Sequence, residues 1–158
     1  MRIILALMLV LGVSGRVESQ IRPKLGDRGK NSLMDSSVRD QRKPVAEVKT
    51  LFDRIEQGIA GGTVSMFGSH FAKQVSMSIG GDENGYFSTS QAFSILQNYF
   101  SNHKPIQFSF SRMNEGAAVP FATGRLSFLA KGNRESAQVY VSLKKQDSEW
   151  VISQFNIY

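Results

Sequence analysis

The stretch STSQAFSILQNYFSNHKP, Ser88 to Pro105, decides how the rest of the chain is to be read. Ser88 followed three residues later by Gln91 is a capping box. The Ser88 hydroxyl takes the Gln91 amide proton, and the Gln91 side chain reaches back to the Ser88 N–H. Phe93, Leu96, Tyr99 and Phe100 then recur at spacings of three and four, one apolar stripe on a helix. Pro105 stops it. Beyond Pro105 the apolar residues recur with a period of two. Ile106, Phe108 and Phe110 share one face; so do Ala122, Gly124, Leu126, Phe128 and Ala130 in the next segment. Ala137, Val139, Val141 and Leu143 form a third set, and Val151, Phe155 and Ile157 a fourth. The connections Asn114–Ala118, Lys131–Arg134 and Gln146–Glu149 are of hairpin length. One apolar face per strand predicts an antiparallel sheet with one covered side. The cover must come from before Ser88.

Upstream, Val45, Val48, Leu51, Phe52, Ile55 and Ile59 make a single helical stripe. Pro44 suits its first turn and Gly61-Gly62 its end. Thr63 to Phe71 gives a second short helical piece with Val64, Phe67 and Phe71 on one side. Gln74 to Ile79 alternates as a strand, Gly80 to Gly85 is a turn, and Tyr86-Phe87 resumes an extended path. The expected fold is α+β, a curved antiparallel sheet wrapped on N-terminal helices.

The ends are of a different kind. Met1–Gly15 has Arg2 before an almost unbroken apolar run, Ile3 to Leu11, with Val13-Ser14-Gly15 after it, which reads as a cleaved secretory signal. The run is short of the ~20 apolar residues that span a bilayer. Export to the periplasm or beyond the cell is therefore the expected localisation, with cleavage near Gly15 and no transmembrane segment in the mature chain. Residues 16–44 carry eight Lys/Arg against four Asp/Glu and few apolar residues without period, so a basic disordered linker is expected there. Residues 45–158, the single expected domain, hold ten against nine. The net charge of +6 thus sits mostly outside the folded part, which argues against a nucleic-acid partner. The absence of cysteine removes disulfides, thiolate metal sites and a Cys nucleophile together.

Several further features carry a resemblance. These are the Ile59-Ala60-Gly61-Gly62 helix end, Tyr86-Phe87-Ser88 before Gln91-Ala92, and the Tyr99-Phe100 pair. Others are Phe121-Ala122-Thr123-Gly124, and Val139 through Lys145 before a closing strand. With this order of elements, Val45–Tyr158 resembles the cystatin-like cone of the nuclear-transport-factor-two and ketosteroid-isomerase superfamily. More narrowly, the chain is similar to a family of small exported bacterial proteins of unknown function that share the cone. The resemblance implies architecture; a fold carries no function by itself.

Enzymes built on this cone project carboxylates, His or Tyr from strands into the cavity, where burial shifts their pKa. Here the inward positions are almost all aliphatic, Phe, Met or Ser, and Glu115, Glu135, Asp147 and Glu149 fall at turns or strand ends. His70 and His103 stand at helix ends with no carboxylate at metal-ligand spacing, so neither a metal nor a cofactor is expected. His103 is explained by the helix dipole. Phe67, Phe71, Phe108, Phe110 and Phe128 either line a cavity or fill the core. Of these, Phe67, Phe108 and Phe110 are the candidate ligand contacts, with Arg112 at the mouth of the cone to receive a carboxylate or phosphate. A β-bulge between Phe110 and Arg112 would turn that arginine to solvent instead. Trp150, Ile152 and Tyr158 share a parity opposite to Val151 and Phe155, the pattern of an exposed apolar interaction patch and a homodimer through the outer sheet face.

Three readings stay open. The favoured one is an exported, non-catalytic module for a small apolar or anionic ligand or an envelope protein. The second is an isomerase or dehydratase using His70 or Tyr86 with Arg112, which requires those side chains to converge. The third is a structural homodimer.

Overall fold

A computed structural model describes the backbone of residues 30–158 and the side chains from residue 43 onward. The expected signal segment and linker residues 16–29 lie outside the described residues. The first helix, α1, spans Lys30–Ala60 with Pro44 inside it. The linker expected over residues 16–44 is therefore helical from Lys30, and Pro44 does not open the helix. Once the amphipathic half of α1 exists, each added residue extends it without a new nucleation cost, so even a poorly apolar stretch can continue it.

Val48, Leu51, Phe52, Ile55 and Ile59 are the buried stripe of α1. The helix ends in a Schellman motif: Thr63 N–H donates to Gly58 C=O and Gly62 N–H to Ile59 C=O, with Gly62 at φ 64°. The short helical piece is two single 3₁₀ turns, Val64–Met66 and Gly68–His70, that set Phe67 into the core.

The strands are β1 (Phe71–Ile79), β2 (Glu83–Ser88), β3 (Lys104–Asn114), β4 (Phe121–Ala130), β5 (Asn133–Gln146) and β6 (Glu149–Ile157). Helix α2 (Thr89–Asn102) lies between β2 and β3, and both halves of the Ser88/Gln91 capping box are made. The sheet order is β2-β1-β6-β5-β4-β3. All pairings are antiparallel except β1 with β6, which is parallel, so the sheet is mixed. Positive φ at Lys131-Gly132 and Asp147-Ser148 lets two-residue turns close the last two hairpins.

Bulges decide which side chains reach the core. On β3 the register shifts between Pro105 and Gln107 and again between Phe110 and Arg112. Ile106, expected on the core face, is the extra residue of the first bulge and is exposed. The second bulge sends Arg112 to solvent and brings Met113 opposite Ala122. On β6 the shift falls at Ser153, whose Oγ donates to the Ser142 carbonyl at 3.2 Å. That bulge inverts the parity of everything before it. Ile152 pairs with Leu143 and is fully buried, Trp150 is half-buried on the same side, and Tyr158 alone is exposed. The patch expected from Trp150, Ile152 and Tyr158 does not exist as a surface.

Helix α1 runs beside the edge strand β3, and Glu56 of α1 accepts the outward N–H of Phe110 through Oε2 at 2.7 Å. Charge-assisted bonds of this kind are worth about 1.5–3 kcal/mol. Glu56→Ala should cost that much in urea denaturation, while Glu56→Gln, which keeps an acceptor, should recover most of it. Equal losses in the two variants would mean that the bond contributes nothing.

Candidate functional site

The four expected ligand contacts do not meet in a cavity. Phe67 is fully buried, stacked on Phe155 at 5.9 Å between centroids and edge-on to Phe71. Phe108 and Phe110 pack edge to face at 5.0 Å, and Phe110 rests on Phe52 at 5.8 Å. These rings fill the concave face of the sheet, and Arg112 is outside it. The convergence required of an enzyme using His70 or Tyr86 with Arg112 also fails. Tyr86 is exposed on β2 and Arg112 on β3, the two opposite edges of the six-stranded sheet. At about 4.8 Å per strand spacing those edges are roughly 24 Å apart along the sheet, and His70 lines a cleft with Arg54 and Trp150 that does not include Arg112.

What remains open is the end of the cone under α2. There a cleft of about 670 Å³ has a floor of Ile79, Phe128, Ala137 and Ile157 from four strands. Ile95, Asn98, Tyr99 and Asn102 of α2 form its roof, and Asp82, Glu83 and Glu135 stand at its rim. Tyr99 stacks on His103 at 4.1 Å, and Phe128 meets both rings edge-on. A carbonyl can only accept, so His103 Nδ1 donates its proton to the Tyr99 carbonyl at 3.0 Å and caps α2. Burial, and then the Glu135 carboxylate, push the Tyr99 phenol up to about 12, so it stays a hydrogen-bond donor at neutral pH. Glu135 stands next to a turn, which hides it among solvated carboxylates in the sequence. Its parity with Ala137 and Val139 is the signal that finds it, and it pairs with Phe128 on the cleft side.

A second cleft, of about 400 Å³, lies between the outer side of α1 and the start of β6. Arg54, His70 and Trp150 line it. Arg54 Nη1 sits 2.8 Å from His70 Nε2. The Trp150 Nε1–H is buried and finds no acceptor among the described residues. No sequence signal joins Arg54 to His70: one is a charge on an exposed helix face, the other the end of a 3₁₀ turn. Among the described residues, no three His, Asp or Glu side chains gather as metal ligands, and no helix is long and apolar enough to cross a membrane.

The model of a family described as a domain of unknown function, DUF4783, matches residues 52–158, from the last third of α1 to the residue after β6. The chain belongs to the DUF4783 family. A DUF4783 protein from Bacteroides uniformis superposes with a TM-score of 0.60 at 18% identity, over 66% of this chain and 93% of that one. An NTF-2-like protein of unknown function from Shewanella oneidensis gives 0.52 at 11%, over 72% and 98%. A ketosteroid-isomerase-like protein from Catenulispora acidiphila, in complex with trimethylamine, gives 0.54 at 10%, over 68% and 83%. No curated protein matches the chain. The cone architecture expected from the sequence is thus the architecture of this DUF4783 chain and of its structural neighbours.

Proposed function

We propose that this DUF4783 chain is an exported binding module that holds a small, largely apolar ligand in the open end of the cone, under α2. The observation that carries the reading is the contrast along the concave face. Phe52, Phe67, Phe108 and Phe155 fill one part of it, whereas Ile79, Phe128, Ala137 and Ile157 floor a cleft. An apolar floor with a few polar groups at the rim is the usual make-up of a small-molecule site. Three carboxylates on that rim disfavour the anionic ligand expected at Arg112 and favour a neutral or positively charged one. The trimethylamine of the Catenulispora acidiphila neighbour is a ligand of that chemistry, though no residue carries over from it. Export rests on the Met1–Gly15 segment.

Thermal-shift measurements on the full chain test the reading, with benzylamine, trimethylamine, benzyl alcohol, sterols and quinones as probes. Free ligand at about 100 times its dissociation constant adds about 2.7 kcal/mol, several degrees for a domain of this size. We expect benzylamine to raise the melting temperature and Ala137→Phe, which fills the cleft from its floor, to abolish the shift. No shift with any probe, or a shift that survives Ala137→Phe, overturns the reading.

A further inference from the structure

The cleft between α1 and β6 has chemistry that the open end of the cone lacks. A guanidinium has donors and no acceptor, so the 2.8 Å contact requires His70 to accept through Nε2 and to carry its single proton on Nδ1. Burial, then the Arg54 charge, hold His70 below the ordinary histidine range, with Glu149 pulling weakly the other way. Arg54 makes no ion pair among the described residues. Its charge therefore faces a neutral partner. Beside it lies an apolar wall of Ala46, Leu51 and the Trp150 ring.

We propose that this cleft binds a small carboxylate with an apolar body, Arg54 holding the carboxylate and the apolar wall with the Trp150 ring taking the body, and that binding is coupled to proton uptake by His70. The other charges facing His70 make the coupling physical. From α1 come Lys43 and Glu47, from β6 Glu149, and Lys145 of β5 stands 5.4 Å from the centre of the Trp150 ring. With His70 neutral, Lys43, Arg54 and Lys145 outweigh Glu47 and Glu149 by one positive charge, which favours an anionic ligand. A bound carboxylate adds a negative charge where desolvation and Arg54 had kept the imidazole neutral, and so draws a proton onto His70 Nε2; the Arg54–His70 hydrogen bond opens and the guanidinium turns its donors to the carboxylate. The bound state then holds the proton more tightly than the free state. Affinity must rise as the pH falls through the bound-state titration and level off below the free-state one.

Trp150 is the only tryptophan of the chain, so its fluorescence reports on this cleft alone. The experiment titrates the full chain with sodium phenylacetate and, as a neutral isostere, with phenylacetamide, at about pH 5.5 and about pH 8, either side of the histidine range. A saturable change with phenylacetate, about fivefold or more tighter at the lower pH, and none with the amide, is expected. Arg54→Gln, at an exposed position, should remove binding. His70→Gln, which still offers Arg54 an acceptor, should keep binding and lose its pH dependence. Absence of a saturable change at both pH values, amide binding as tight as acid binding, an Arg54→Gln variant that binds like wild type, or a wild-type affinity independent of pH each overturns the proposal. This cleft shares no lining residue with the open end of the cone, so Ala137→Phe leaves the signal unchanged and the two sites fail or stand separately.

Discussion

Replacing Phe67 with alanine is expected to cost the fold about 3–5 kcal/mol, the range for deleting a large ring from a packed core. The ring is stacked on Phe155, edge-on to Phe71, and lies so close on Gly58 that a Cβ there would collide with it. None of these neighbours can relax into the space, since two belong to the sheet and the third to the helix α1. A loss of this size is a large share of the ~5–15 kcal/mol that a domain has in total. Chemical denaturation measures it directly. A loss below about 1 kcal/mol would mean that Phe67 borders a cavity after all and would return it to the ligand contacts expected from sequence.

The second large effect is at Gly124. Its place on β4 opposite Phe110 leaves no room for a side chain. An added Cβ would overlap the Ser109 carbonyl oxygen and stand 2.9 Å from the Phe108 ring. Overpacking costs typically about 1–3 kcal/mol when side chains can shift. Here the obstacle is the backbone of β3, held in place on its other edge by the Glu56–Phe110 bond. Gly124→Ala should therefore lose about 3 kcal/mol, the upper end of that range, and loosen β3, seen as faster amide exchange from Gln107 to Ser111. Unchanged stability and exchange would show that β3 and β4 are not in such close approach.

These two positions also show what can be read from the sequence. Phe67 and Gly124 both stand on the faces that their spacing predicts, because a period of two or of three to four is a local property that survives into the fold. The capping box at Ser88, the parity of β4 and the parity of β5 survive for the same reason. Arg112, Ile106, Trp150 and Ile152 stand on faces other than those their parity predicts: Ile106 is a bulge residue, Arg112 follows a bulge, and Trp150 and Ile152 precede one. One extra residue inverts the face of every residue beyond it, and nothing in Phe110-Ser111-Arg112 or Ile152-Ser153-Gln154 marks where the insertion falls. Curvature requires such insertions but does not choose their positions from sequence. The candidate sites are legible to the same degree. Glu135 is within reach of parity reasoning, whereas the Arg54–His70 contact joins elements sixteen residues apart through tertiary packing alone.

The parallel pairing of β1 with β6 gives the sheet an order of assembly. β6 lies between β1 and β5, so without it the sheet separates into a β2-β1 hairpin and a β5-β4-β3 meander. It also follows every other strand in the chain. A nascent polypeptide emerging from the ribosome therefore cannot close this sheet until its final strand has been synthesised, and closing it joins segments distant in sequence, which is slow.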